Sequence, residues 1–169
     1  MAINSVIRPI LAAVLLVFVG PLVALAQSTA VSLGVTDHDS SLPVEITSEE
    51  LSLDQANSIA IFTGNVLARQ GELTMTCGKM HVEYGPGADG KDEIKIIRMF
   101  DGVTLASPAE TAESTSAVYD MVNESLVMTG NVLITQGLTA LASDRMTYDL
   151  ASGNGILEGN VKTVLGGGN

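Results

Sequence analysis

Phe62-Thr63-Gly64-Asn65-Val66-Leu67 returns further along the chain as Met128-Thr129-Gly130-Asn131-Val132-Leu133. The centre of this pattern, Gly-Asn-Val, occurs a third time at Gly159-Asn160-Val161. Eleven residues before each glycine an apolar residue precedes an aspartate: Leu53-Asp54, Tyr119-Asp120 and Tyr148-Asp149. A turn signal follows each time, namely Gln55-Ala56-Asn57-Ser58, Met121-Val122-Asn123-Glu124 and Ala151-Ser152-Gly153-Asn154. Gln70-Gly71 is matched by Gln136-Gly137, and Lys79-Met80 by Arg145-Met146. A weaker fourth copy, Phe100-Asp101-Gly102-Val103, follows an insertion at Gly85-Pro86-Gly87-Ala88-Asp89-Gly90. A unit that recurs in phase marks an architecture built by stacking one supersecondary element on itself.

The segments between these breaks are four to seven residues long and rich in Val, Ile, Leu, Thr and Met. Ser58 to Thr63, Leu73 to Cys77, Glu93 to Met99 and Ser125 to Thr129 alternate roughly between apolar and polar residues, which is the strand period and not the helical one. Thr111 to Asp120 carries Thr, Val and Tyr and reads as strand too. Asn and Gly at the breaks tolerate the positive φ that tight changes of direction require. The expected fold is all-β: an antiparallel sheet of repeated short strands folded over on itself, with Gly-Asn-Val where a strand turns a corner.

Alternation assigns one apolar face to Val44, Ile46, Leu51, Leu53, Ala60, Phe62, Val66, Ala68, Leu73, Met75, Met80 and Val82. It continues through Tyr119, Met121, Leu126, Met128, Val132, Ile134, Met146 and Tyr148. These residues either fill a closed core or line an apolar trough between two sheets that do not close. Seven Met and no Trp give either a pliable filling, since the unbranched thioether adapts to irregular partners. The residues assigned to the lining of such a trough are Val44, Ile46, Leu53, Phe62, Val66, Met75, Val82, Tyr119, Met121, Met128, Val132, Ile134, Met146 and Tyr148.

Composition excludes several functions. With 19 acidic residues against 8 basic ones the formal charge is −11, a poor basis for neutralising nucleic-acid phosphates. One cysteine, Cys77, excludes an intramolecular disulfide framework and a Cys-cluster zinc site. It lies in apolar Thr76-Cys77-Gly78 and reads as a small buried hydrophobe. His38, between Asp37 and Asp39, reads as a solvated linker residue, and His81 alternates with Met80 and Val82 toward solvent. There is no Gly-x-Ser-x-Gly elbow, HExxH or P-loop. No catalytic constellation, metal site or cofactor is expected.

The N-terminus reads as an address. Arg8 precedes an apolar run from Pro9 to Val19, Gly20-Pro21 breaks it, and Ala24-Leu25-Ala26 stands before polar Gln27-Ser28-Thr29, the order of a cleaved secretory signal peptide. An uncleaved anchor is the rival reading. Residues 1–26 are accordingly assigned to a signal peptide, 27–42 to a flexible leader, 43–165 to the repeat domain and 166–169 to a Gly-rich tail. The basic residues after Ala26 (Arg69, Lys79, Lys91, Lys95, Arg98, Arg145 and Lys162) are scattered, so no phosphate clamp is expected.

Pro43-Val44-Glu45-Ile46-Thr47-Ser48, Leu53-Asp54, the two Gly-Asn-Val blocks with their Gln-Gly successors, and Tyr119-Asp120 through Val132 together resemble the OstA-like family of periplasmic lipopolysaccharide-transport proteins. The resemblance covers about residues 43–165. It implies a V-shaped β-jellyroll, a periplasmic location, and an apolar interior along which lipopolysaccharide moves from inner to outer membrane, held by its lipid A acyl chains. It also implies partners among inner-membrane-anchored and outer-membrane transport components, and head-to-tail self-association. The corresponding edges would be Val44 and Ile46 at one end and Val161 and Val164 at the other. The chain departs from the family pattern in ending soon after the last repeat, at Gly166-Gly167-Gly168-Asn169. A membrane-anchored subunit of the same pathway and a structural envelope protein with a closed core are the alternatives.

Overall fold

The recurring aspartates end strands. In the computed structural model, which describes residues 41–166 and the backbone of Thr29–Val31, Asp54, Asp120 and Asp149 each stand at the last ladder position before a hairpin turn. Each carboxylate accepts a hydrogen bond from the backbone N–H three residues on: Asn57 at 3.2 Å, Asn123 at 2.9 Å and Ser152 at 2.7 Å. These are Asx turns, in which a short side chain stands in for backbone. Gln70-Gly71 and Gln136-Gly137 build the tighter reversals, pairing Gln70 with Leu73 and Gln136 with Thr139. Gly71 and Gly137 take positive φ there (58° and 56°), as the first central position of a two-residue hairpin favours.

Thirteen strands result among the described residues, all paired antiparallel: β1 (Thr29–Val31), β2 (Glu45–Thr47), β3 (Glu50–Asp54), β4 (Ile59–Gln70), β5 (Leu73–Pro86), β6 (Asp92–Phe100), β7 (Val103–Ala106), β8 (Glu110–Ser114), β9 (Ser116–Asp120), β10 (Ser125–Gln136), β11 (Thr139–Asp149), β12 (Asn154–Glu158) and β13 (Lys162–Val164). Four of them exceed the short strands expected from sequence. β4, β5, β10 and β11 run for 12, 14, 12 and 11 residues. The reason is that Gly-Asn bends a strand without ending its ladder.

The bend is a β-bulge repeated across the sheet. Thr63 pairs with Lys79 and Val66 with Cys77, so Gly64 and Asn65 together oppose Gly78. Thr129 pairs with Arg145 and Val132 with Ser143, so Gly130 and Asn131 oppose Asp144. Two residues against one bends a strand and sharpens its twist. Gly64-Asn65, Asp101-Gly102, Gly130-Asn131 and Gly159-Asn160 all hold positive φ. The neighbouring strand lies directly over three of these glycines: a Cβ on Gly64, Gly130 or Gly159 would meet the side chain of Glu49, Thr115 or Asp144 at 3.0 Å or less. The N–H groups of Glu49, Thr115 and Asp144 donate to the carbonyls of Gly64, Gly130 and Gly159 at 3.0, 2.8 and 2.9 Å. The asparagine then ties the bend to the same neighbour, Asn65 donating to the Glu49 carboxylate and Asn160 to Asp144 at 2.8 Å.

These bends line up as one crease, and the sheet folds along it into two halves. One half runs β3-β4-β5-β6-β9-β10-β11-β12, and the other β2-β4-β5-β7-β8-β10-β11-β13. The inner positions switch parity on the strand opposite each bulge. On β5 they are Leu73, Met75 and Cys77 before Gly78, then Met80 and Val82 after it. On β11, Leu141 and Ser143 give way to Met146 and Tyr148. Both halves therefore turn their apolar faces toward each other. Thr29–Val31, inside the stretch expected to be a flexible leader, pairs with Leu157, Ile156 and Gly155 of β12, so that part of the leader is a strand. The signal-peptide assignment, residues 1–26, lies outside the described residues.

Candidate functional site: the apolar interior

The space between the half-sheets is the one feature built by every repeat. Met75, Met80, Val82, Ile97, Met99, Met128, Met146 and Tyr148 are wholly enclosed, drawn from both halves. Of the lining residues named from sequence, Met75, Val82, Met128, Met146 and Tyr148 are among these, and Val66, Tyr119, Val132 and Ile134 are nearly so. Val44, Ile46, Phe62 and Met121 are half-buried against the same cluster. Leu53 departs from expectation. It pairs with Ala60 of β4, but among the described residues β3 has no second strand beside it, and Leu53 is 64% exposed.

In this structure the interior is filled. The void bounded by Leu73, Leu105, Ala112, Tyr119, Leu126 and Tyr148 amounts to about 20 Å³, about the room one water needs. The side chains thus form a packed core as they stand, and five methionines, Met75, Met80, Met99, Met128 and Met146, are buried in it.

Several interior positions could be found only from the structure. Ile97, Met99, Val103, Leu105, Ala112 and Ala117 are buried, yet they fall in the weak fourth copy and its neighbour, where the repeat signal fades. Gln70, Glu110, Ser114 and Ser143 are polar and buried. Gln70 had one available signal: it continues the even-numbered inner positions of β4. Tyr119 Oη donates to Gln70 Oε1 at 3.3 Å, and enclosure, with a smaller effect from Glu124, pushes the Tyr119 hydroxyl up to about 12. Burial likewise raises Tyr148, with the Glu110 charge adding to it.

The reactive side chains have structural roles. Cys77 is buried, its Sγ 3.2 Å from the Lys79 carbonyl, and burial pushes its thiol up, away from the thiolate that nucleophilic chemistry uses. His81 lies on the outer face between buried Met80 and Val82, as expected, but is part-covered there. Its ring packs edge-on against Phe100 at 5.2 Å, its Nε2 is buried without a partner, and burial holds it toward the neutral form. Among the described residues no three His, Cys, Asp or Glu side chains are grouped for a metal ion, and no helix is long and apolar enough to cross a membrane.

Among the described residues β2, with Val44 just before it and Ile46 inside it, pairs only with β4, and β13 pairs only with β11. Val161 and Val164 are 38% and 53% exposed.

A family model described as "LptA/(LptD N-terminal domain) LPS transport protein" matches residues 45–154. An uncharacterized protein of Rhizobium meliloti (strain 1021) is 29% identical over 140 residues, covering 80% of this chain and 75% of that one. The lipopolysaccharide export system protein LptA of Escherichia coli K12 is 28% identical over 114 residues, 65% of this chain and 61% of that protein, under two thirds of its length. LptA of Haemophilus influenzae is 28% identical over 152 residues, with 83% and 85% covered. The fold is similar to the crystal structure of LptH, described as the LptA-homologous periplasmic component of the lipopolysaccharide transport device of Pseudomonas aeruginosa. That match has a TM-score of 0.67 at 12% identity and covers 77% of this chain and 99% of that one.

Proposed function

The chain belongs to the LptA/(LptD N-terminal domain) lipopolysaccharide-transport family, and on that premise we propose that it is a periplasmic bridge component that carries lipopolysaccharide by its acyl chains between its two half-sheets. The observation that carries this reading is the largely apolar interior, with buried Met80, Met99, Met128 and Met146 on one wall and Met75 on the other, folded along one crease. An acyl chain of a dozen carbons is held out of water by about 0.8 kcal/mol per methylene, roughly 10 kcal/mol in all. A bilayer gives it no path across an aqueous compartment; an apolar channel does. Passage requires the core to exchange its own packing for the ligand's, and methionine makes such exchange inexpensive because it repacks without branching constraints. Sugars and phosphates would remain in water, consistent with the scattered basic side chains.

The same reading assigns export to cleavage after Ala26, with the protein released as a chain starting at Gln27. N-terminal sequencing of the exported protein tests it, and an intact Met1 in the membrane fraction would favour a membrane-anchored subunit. It assigns the β2 edge and the β13 edge to head-to-tail contacts with further copies and with inner- and outer-membrane transport components. An unprotected edge offers N–H and C=O groups to another chain, and a heterologous contact can run on into a filament. One observation favours a second reading: the packed interior, whose void between Leu73 and Tyr119 is about 20 Å³, suits a purely structural envelope protein. Native mass spectrometry separates the two. Lipid A co-eluting with the protein supports transport, and protein free of lipid after purification from an envelope extract supports the structural role.

A further inference from the structure

The two half-sheets meet on two sides, and the sides are built differently. Along the crease the ladder runs through, held by backbone bonds such as Thr115 to Gly130, so the halves cannot part there without breaking the sheet. On the opposite side only hairpin tips face each other. The turns after Gln70 and after Ala106 belong to one half, and the turns after Asp120 and Asp149 to the other. A small void of the interior lies on this side, between Leu73 and Leu105 of one half and Tyr119 and Leu126 of the other. Ser107 Oγ, at the same rim, is buried without a partner.

A polar bond closes this mouth. Gln70, wholly buried on the first half, accepts from Tyr119 Oη of the second half at 3.3 Å, and its own Nε2 donates to the Leu42 carbonyl at 2.9 Å. Leu42 belongs to the segment leading into β2. That segment, from Ser41 to Val44, faces Glu93, Ile94 and Met121 of the opposite half across a cleft of about 500 Å³. One glutamine therefore fastens three pieces together: its own half, the opposite half and this strap leading into β2. Away from water a broken amide–hydroxyl bond is not replaced by one to solvent, so the bond holds while the mouth is shut and is lost when the tips part.

We propose that Gln70, Tyr119 and the Ser41–Val44 strap form a clasp opposite the crease, and that its release sets the rate at which an acyl chain enters sideways between the half-sheets. This rests on the reading of the interior as a lipid path. Gln70 and Tyr119 act as positioning residues: they hold the mouth shut and need not touch lipid. Elsewhere the inner walls are mainly apolar, apart from buried Glu110, Ser114 and Ser143, and Gln70 and Tyr119 are a polar pair bonded from one half to the other.

The test combines uptake with a lipid-free measurement. Stopped-flow uptake of 11-(dansylamino)undecanoic acid is compared among wild type, Tyr119→Phe, Gln70→Leu and the double variant; Tyr119→Phe keeps the ring that fills the interior. Tyr119→Phe is expected to raise the uptake rate about fivefold, the equivalent of one net hydrogen bond of about 1 kcal/mol, and Gln70→Leu, which also removes the bond to the Leu42 carbonyl, by at least as much. The double variant should be no faster than Gln70→Leu, because both changes remove the same bond between the halves. Equal rates in all four proteins, or strictly additive effects, would overturn the clasp. Nitroxide labels at exposed Ala109 and Val122, in a Cys77→Ala background, report the mouth without any lipid. Tyr119→Phe should lengthen or broaden their distance distribution, and an unchanged distribution would also overturn the clasp. A mouth that loosens while no variant takes up the probe would instead count against the lipid path.

Discussion

The crease makes a paired prediction, because its glycines share a backbone conformation but differ in what covers them. Gly102 and Gly130 have nearly the same φ, 79° and 83°. A Cβ on Gly102 would meet nothing within 4 Å, whereas one on Gly130 would lie 2.7 Å from Thr115 Oγ1 and 2.9 Å from its Cβ. Gly102→Ala should therefore cost only the left-handed backbone term, about 1–2 kcal/mol. Gly130→Ala adds forced displacement of the next strand, about 1–3 kcal/mol for overpacking of this kind, for a total of about 2–5 kcal/mol. It also strains the bond from the Thr115 N–H to the Gly130 carbonyl, 2.8 Å as it stands. Equilibrium urea unfolding of the two variants beside wild type measures the difference. Equal costs, or a costlier Gly102→Ala, would refute the view that close cross-strand cover and not φ alone fixes glycine at the bends.

Other outcomes follow from the same geometry. The hydrogen bonds of the three Asx turns hold the carboxyls of Asp54, Asp120 and Asp149 below their ordinary 3.8. Their contribution is complete above that value and is lost as pH falls through the lower folded values, so the triple Asp→Ala variant should flatten the acid limb of a stability–pH curve; an unchanged limb would contradict it. Met128→Ala, at a wholly buried position, should cost about 2–5 kcal/mol by thermal or urea unfolding, and a cost below 1 kcal/mol would mean the interior is not packed there. Thr163→Pro, inside β13, removes a ladder donor and should reduce concentration-dependent oligomers in sedimentation velocity; oligomers indifferent to it would exclude this edge.

Much of the fold was legible because the repeat writes its turns and bends in residues that have few other uses. Asp at the strand end and Gly-Asn ten residues later located both the hairpins and the crease. What could not be read was that Gly-Asn continues a ladder: its φ values suit a reversal as well as a bulge, and only the opposing residue, Gly78 or Asp144, decides between them. Alternation found most of the interior because strands bury one face. It failed at Leu53, where facing inward is not burial: an edge strand has nothing to cover it. It passed over Ile97 to Ala117, where the fourth copy is too degenerate to set a register. Gln70 and Glu110 escaped for a different reason. A polar residue on an inner position is indistinguishable in sequence from an end of the strand, and its partners, Tyr119 and Leu42, are far away along the chain.

The most direct measurement is photo-crosslinking at neighbouring positions of β10 during lipopolysaccharide export in cells. Met128 is wholly buried in the interior, and Thr129, the next residue, is exposed on the outer face. A photoreactive residue at position 128 should yield a covalent lipopolysaccharide adduct, and one at position 129 should yield little or none. Adducts of equal strength at both positions, or none at 128 while export proceeds, would contradict passage of acyl chains between the half-sheets.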